Sequence, residues 1–332
     1  MGERQSAEHR AENTGQKTQG AEKKPKATRD AYGDTLLELG RKRPEIVALD
    51  ADLSGSTKTS KFAKEFPDRF FNMGIAEQDM VGTAAGLALA GKIPFASTFA
   101  VFETGRAWDQ IRLTVCYSNT NVKLVATHGG ITVGEDGASH QALEDVALMR
   151  ALPNMTVIVP ADATETTAVI KAVADFKGPV YVRLGRAKVP YIMPDDYSFT
   201  PGKAYIFSIG KDVNIIANGI MVGIARDAAA ALAHDGIDAG VINMATVKPL
   251  DEEALFAAAK GSGLIVTAEE HSVIGGLGSA VTEYLSENCP VTIKRIGIND
   301  SFGCSGNAGE LMKFHGLTAD DIVSLVKKSL KK

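Results

Sequence analysis

Apolar and polar positions along the chain alternate between two rhythms. Helical spacing of apolar residues covers residues 31–43, and an unbroken apolar run, EIVALDA, follows at 45–51 and closes on Asp52. Further apolar runs lie at residues 95–99, 123–128, 156–161 and 180–185, separated by segments with helical spacing. Unbroken runs of this length predict parallel strands covered on both faces, and their alternation with helices predicts an α/β fold. Residues 188–212 break the rhythm with three prolines and little helical periodicity, apart from one short strand near 204–208. The rhythm restarts with strands at residues 213–219, 238–244, 263–271 and 291–298, a helix from Asp251 and a last amphipathic helix from Thr318. The prediction is a two-domain α/β protein: a parallel-sheet domain over 27–190, a linker over 191–212, and a smaller α/β domain over 213–332. Ligands of open α/β sheets bind at the carboxyl ends of the strands. Asp52, residues 98–99, His128 and Arg186 fall there, which points to a single pocket.

Composition removes several alternatives. The chain has 332 residues, 45% hydrophobic and 23% charged, as expected of a globular protein with room for two domains. A net charge of -4 provides no global drive toward nucleic acid. No apolar stretch reaches the roughly 18 residues of a membrane span, and no apolar signal core precedes the folded part, so a cytoplasmic protein is expected. Residues 1–26 mix both signs of charge with Gln, Gly and Ala and have no large apolar residue after Met1. They cannot bury enough surface to offset chain entropy and are expected to form a disordered tail. Cys116, Cys289 and Cys304 are odd in number and widely spaced, which favours idle thiols over disulfides or a zinc site.

Glu77 is the residue whose placement calls for a reason. It opens an Ala/Gly/Leu-rich segment of helical composition, where a carboxylate either complements the helix dipole or does chemistry. The surrounding pattern favours chemistry. Residues 73–78 read MGIAEQ, 97–99 read STF with a second aromatic at Phe102, and 126–128 read ATH, leading into VGEDGASHQ at 133–141. In order and spacing these segments resemble the pyrimidine-binding half of transketolases, and the likeness runs from about Ala27 to the C-terminus.

That resemblance implies thiamine diphosphate as cofactor. Glu77 would be the acid hydrogen-bonded to a nitrogen of the aminopyrimidine ring, with an apolar pocket favouring its neutral form over the opposing helix N-terminus. Phe99 and Phe102 would stack on the pyrimidine, and Asp52 matches a family aspartate near the cofactor. Many transketolases carry a third aromatic where this chain has Gly105, so that pocket should be looser or filled from elsewhere. Arg29, Ser56, His128 and Arg186 match the set that holds the sugar phosphate, where Arg and His suit charge-assisted hydrogen bonds. Asp136 would accept a hydrogen bond from a sugar hydroxyl, and His140 would lie beside the reacting carbon. Gly129, Gly130, Gly134 and Gly137 would let this loop approach a ligand or take positive φ.

Transketolases hold the diphosphate through a divalent metal, recognised by Gly-Asp-Gly with a downstream Asn. The Asp-Gly pairs at Asp136 and Asp235 follow Glu135 and His234, so the motif is missing, and so is a dedicated oxygen set for Mg²⁺. The resemblance therefore implies the C-terminal subunit of a split transketolase. A separate N-terminal subunit would carry Mg²⁺ or another divalent metal, in a heterotetramer around homodimerised pyrimidine-binding domains, and a two-carbon ketol unit would pass between sugar phosphates. A 1-deoxyxylulose-5-phosphate synthase-like subunit, a 2-oxo-acid dehydrogenase beta-like subunit and a noncatalytic binding protein on this fold are the alternatives. Three glycine-rich stretches are read as structural: residues 86–93 as core lacking the phosphate-loop ending, 274–280 as a tight strand-to-helix turn, and 302–309 as no hydrolase nucleophile.

Overall fold

A computed structural model describes residues 23–330. The expected tail lies outside the described residues as far as position 22. Lys26 does not belong to it, because Lys26–Ala27 pairs antiparallel with Lys188–Val189 and clips the start of the first domain to its end.

Among the described residues, seven strands form the first sheet, in the order 246–248, 156–158, 180–183, 123–126, 93–97, 46–50, 70–72. All its pairings are parallel except that of Thr246–Lys248 with Thr156–Ile158. That edge strand comes from the second half of the sequence and is too short for a periodicity to reveal. Ile46–Asp50 and Ile93–Ser97 are buried at every position, because helices cover both faces, as their unbroken apolar composition requires. The second sheet runs 292–298, 264–272, 213–217, 239–243, 205–208, parallel except at the last strand. Tyr205–Ser208 is thus part of the second sheet although it lies within the expected linker. No helix among the described residues is long and apolar enough to cross a membrane.

Strand ends are shorter than the apolar runs suggested. Ile46–Asp50 stops two residues before Asp52, whose φ of 63° leaves the extended region, and Lys123–Ala126 stops before His128, at φ 60°. The reading of residues 86–93 as core fails on one face. The helix Glu77–Leu89 buries Met80, Val81, Ala84 and Ala85, but Gly86 and Leu89 are exposed.

Candidate active site

The first sheet delivers two strand ends side by side. Phe99 and Thr127 form a parallel bridge, and Ala100 N–H donates to Thr127 O at 2.7 Å, so the residues on either side are held in register. Phe99 and His128 consequently stack with ring centroids 3.7 Å apart and an interplanar angle of 24°. Phe99 also caps the helix Ala100–Arg106, whose first turn sets Phe102 parallel to it at 5.7 Å. His140 meets Phe102 edge-on at 5.3 Å, and its Nδ1 lies 2.9 Å from Ser139 Oγ.

Glu77 is the first residue of its helix and is 4% exposed. Its surroundings differ from the expected apolar pocket. Arg106 Nη1 donates to Glu77 Oε1 at 2.8 Å, and the same guanidinium lies 4.1 Å from the centre of the Phe102 ring. The helical i, i+4 spacing of Phe102 and Arg106 stacks one on the other. A side chain at Gly105 would meet nothing within 4 Å, so the space vacated there is open, and Arg106 covers Phe102 instead.

On the other side of the rings, Arg29 Nη1 donates to His128 Nε2 at 3.1 Å and to Ser56 O at 3.2 Å. A guanidinium only donates, so Nε2 holds the lone pair and the proton sits on Nδ1, 2.8 Å from Thr127 Oγ1. Burial, with Arg29, Arg186, His140 and Lys58 nearby, pushes the His128 pKa down to about 3. The expected charge on His128 is therefore absent near neutral pH, and both ring nitrogens are engaged. Its Nε2 is occupied by Arg29. Burial pulls the pKa of Arg29 below its ordinary value, with Asp30 opposing and Arg186 adding to the shift. Thr28 Oγ1 accepts from Gly185 N–H at 2.8 Å, which brings the start of the first helix beside Arg186. Arg186 Nη1 donates to Val133 O and lies 3.5 Å from Asp136 Oδ2.

Arg29, Ser56, His128, Phe99, Phe102, His140, Arg106 and Glu77 thus form one chain of contacts, with Arg186 and Asp136 joined at its rim. Asp52 stands apart from the rings. It is exposed and exchanges two 3.1 Å hydrogen bonds with Asn72. Buried Asp50, two residues earlier, accepts from Leu53 N–H at 2.6 Å and from the hydroxyls of Thr57 and Thr59. Burial outweighs these bonds and raises the Asp50 pKa to about 6.

Two further acids escaped the sequence reading. Glu103, fully buried one turn before Arg106, has no hydrogen-bond partner on either oxygen. Burial, then the charges of Asp50 and Glu77, holds its pKa well above the usual carboxylate range. Glu270, from the second domain, accepts from Thr132 N–H at 2.7 Å and fills the space where Gly130 would carry a side chain, 2.2 Å from an added Cβ. Gly130, Gly134 and Gly137 have φ of 87°, 88° and 73°. The loop's close backbone approach at Gly130 is to Glu270, and at Gly129 to Arg183. Gln141 Nε2 donates to Cys304 O at 2.9 Å, so residues 302–309 also brace this loop.

Residues 24–191 match the family description "Transketolase, pyrimidine binding domain", and residues 202–322 match "Transketolase, C-terminal domain". The chain belongs to the transketolase family. It is 52% identical over 310 residues to a "Putative transketolase C-terminal section" of Methanocaldococcus jannaschii, covering 92% of this chain and 97% of that protein. One of the subunits of an apulose-4-phosphate transketolase of Phocaeicola vulgatus is 43% identical, with 92% and 98% covered. A "6-deoxy-6-sulfo-D-fructose transketolase subunit" of Clostridium is 47% identical, with 89% and 92% covered. Among solved structures, a "Split gene transketolase, inactive beta4 tetramer" superposes with a TM-score of 0.85 at 55% identity, covering 93% of this chain and 99% of its own. Transketolase of Mus musculus is 39% identical over 91% of this chain and only 48% of its own length. This transketolase-family chain is thus a split-type subunit, and enzymes of the family use thiamine diphosphate.

Proposed function

We propose that this chain is the C-terminal subunit of a thiamine diphosphate-dependent transketolase that moves a two-carbon ketol unit from a ketose phosphate to an aldose phosphate, completed by an N-terminal subunit that holds the divalent metal and the diphosphate. The observation that carries the reading is the Glu77, Arg106, Phe102 arrangement. A planar nitrogen cation already makes the two contacts an aminopyrimidine needs, a hydrogen bond to a buried carboxyl and a face on an aromatic ring. The residues present therefore fit the cofactor's pyrimidine. When bound, thiamine diphosphate supplies the electron sink that lets the carbon–carbon bond beside a ketose carbonyl break.

The chain's own groups do the rest. Glu77 holds a proton at the pyrimidine ring nitrogen, and Phe99 and Phe102 present stacking faces and exclude water. Arg29, aimed by His128 and the Ser56 carbonyl, and Arg186 bind the sugar's phosphate. Asp136 accepts from a sugar hydroxyl, and His140, free at Nε2, exchanges a proton with the substrate oxygen beside the reacting carbon. Asp52, hydrogen-bonded to Asn72, would serve the cofactor from outside the ring stack. Exposed Leu89 and Tyr117 on two helices that pack together support pairing of this domain with a second copy.

Purified alone, the chain should show no ketol transfer, and activity should appear on mixing with a partner chain carrying Gly-Asp-Gly and a downstream Asn. Coupled assays of each chain and of the mixture test this, and robust transfer by the chain alone would overturn the two-chain reading. Arg106→Ala should tighten thiamine diphosphate binding to the assembled enzyme by up to about fivefold. It removes a half-exposed competitor for Glu77, a pair worth up to about 1 kcal/mol. Calorimetric titration measures this, and weaker binding would show that Arg106 assists the cofactor.

A further inference from the structure

Lys58 follows the short helix Ser54–Thr57 in the left-handed region, at φ 75°. That position normally favours Gly. The first helix accommodates its backbone through Gly33, where an added Cβ would lie 2.5 Å from Lys58 Cβ and 2.9 Å from Lys58 O. One residue thus dispenses with a side chain so that another can keep its own in a strained conformation. Non-glycine residues in such conformations gather where function maintains them. Among the described residues six non-glycines have positive φ, and His128, within the site, is one of them besides Lys58.

The side chain adds charge to a site that has places for a ligand. Lys58 Nζ is 3.6 Å from Asp30 Oδ1, with the side chain 26% exposed. Asp30 follows Arg29 in the helix, and Lys58 follows two residues after Ser56, whose carbonyl accepts from Arg29 at 3.2 Å. The ion pairs of these cations are loose: Lys58 with Asp30 at 3.6 Å, and Arg186 with Glu135 at 3.6 Å and Asp136 at 3.5 Å. Buried Arg29 Nε has no hydrogen-bond partner. Two cations in long ion pairs and a third with an orphan donor are arranged for an oxyanion that brings more than one charge.

We propose that Lys58 is a specificity-determining residue, the third cation of the terminal-anion site, which selects a phosphate monoester over a sulfonate and over an uncharged hydroxyl. The proposal rests on the reading of Arg29 and Arg186 as the substrate's anion site. A phosphate monoester carries about -1.5 to -2 at neutral pH, whereas a sulfonate presents three similar oxygens with a single charge. Shape separates the two poorly. A compact ammonium separates them by charge.

The test uses the assembled two-chain enzyme with a ketose phosphate, the matching terminal sulfonate and the unmodified ketose. Lys58→Met keeps most of the stem, and Lys58→Gly also releases the backbone strain. In both, kcat/KM for the phosphate should fall roughly ten- to hundredfold, the scale of one hydrogen bond to a charged group. The sulfonate should lose several-fold less, and the unmodified ketose should change less than twofold. Lys58→Gly should retain or raise Tm, which separates lost recognition from lost folding. A second measurement needs no turnover: inorganic phosphate should raise the Tm of the chain more than methanesulfonate does, and Lys58→Met should abolish the difference. Equal losses on all three substrates, or a phosphate preference intact in both variants, would overturn the role of Lys58. If Arg186→Ala also left the preference intact, the anion site itself would be misplaced. If Arg186→Ala removed it while the Lys58 variants did not, only Lys58 would be.

Discussion

Glu77→Ala should leave the chain folded and able to join its partner while lowering kcat for ketol transfer by about 10²–10⁴-fold, the range for loss of a positioned acid. The fold should survive because Glu77 opens its helix, and the burial of Met80, Val81, Ala84 and Ala85 holds that helix in place. Its carboxyl meets Arg106, and Arg106 is half exposed, so truncating Glu77 returns that cation to water and leaves no buried charge behind. Affinity for thiamine diphosphate should fall far less than kcat. The diphosphate and metal contacts are assigned to the other chain, and the Phe99 and Phe102 faces remain. A loss concentrated in kcat marks an interaction used in the transition state more than in holding the ground state. Steady-state kinetics and a cofactor titration on the same preparation separate the two. A kcat within fivefold of wild type would make Glu77 a helix-end carboxylate and remove the centre of the proposed mechanism.

The sequence rhythm was a good guide to the fold because parallel strands buried on both faces leave unbroken apolar runs. It was a poor guide to where strands end. Asp52 and His128 both continue an apolar run in sequence yet turn out of the sheet with positive φ, a backbone choice that apolar patterning does not encode. Nor does it encode that the buried acid at this strand end is Asp50 while Asp52 is exposed. Short edge pairings such as Thr246–Lys248 carried too few residues to reveal a period.

Within the site, Glu77, the two phenylalanines and His128 were singled out because their motifs are distinctive, and the fold brings them into one chain of contacts. Arg106 could have been found too: four residues after Phe102 on a helix, it had to lie over that ring. Glu103, Lys58 and Glu270 could not. The first is an acid on a helix that looks amphipathic by composition. The second is one lysine in a loop. Glu270 is about 140 residues from its partner Thr132, and only the docking of the second domain brings them together. The neutral state of His128 was equally hidden, because it depends first on burial and then on cations arriving from other segments.

Arg183→Met should destabilise the chain by about 3–5 kcal/mol, the scale for breaking a buried ion pair from one side. Arg183 is 5% exposed and Asp145 fully buried. Arg183 Nε lies 2.8 Å from Asp145 Oδ2, and Nη2 donates at 2.9 Å to the carbonyls of both Ala142 and Glu270. Met fills most of the volume but leaves Asp145 with the Tyr181 hydroxyl, at 2.6 Å, as its remaining close donor. The two carbonyls lose a donor as well. Because those carbonyls end the loop and begin the second domain's contribution to it, the loop carrying Asp136 and His140 should loosen along with the fold, raising KM for the sugar. Combining the change with Asp145→Leu removes the stranded charge and should recover part of the stability, since an apolar replacement of a buried pair is often near neutral. The orphaned Tyr181 hydroxyl and carbonyls keep that recovery incomplete. Urea denaturation of the two single variants and the double variant closes the cycle. A single-variant loss below about 1 kcal/mol would mean that water reaches Asp145 in solution, and that the two domains do not seal this pair as the structure has it.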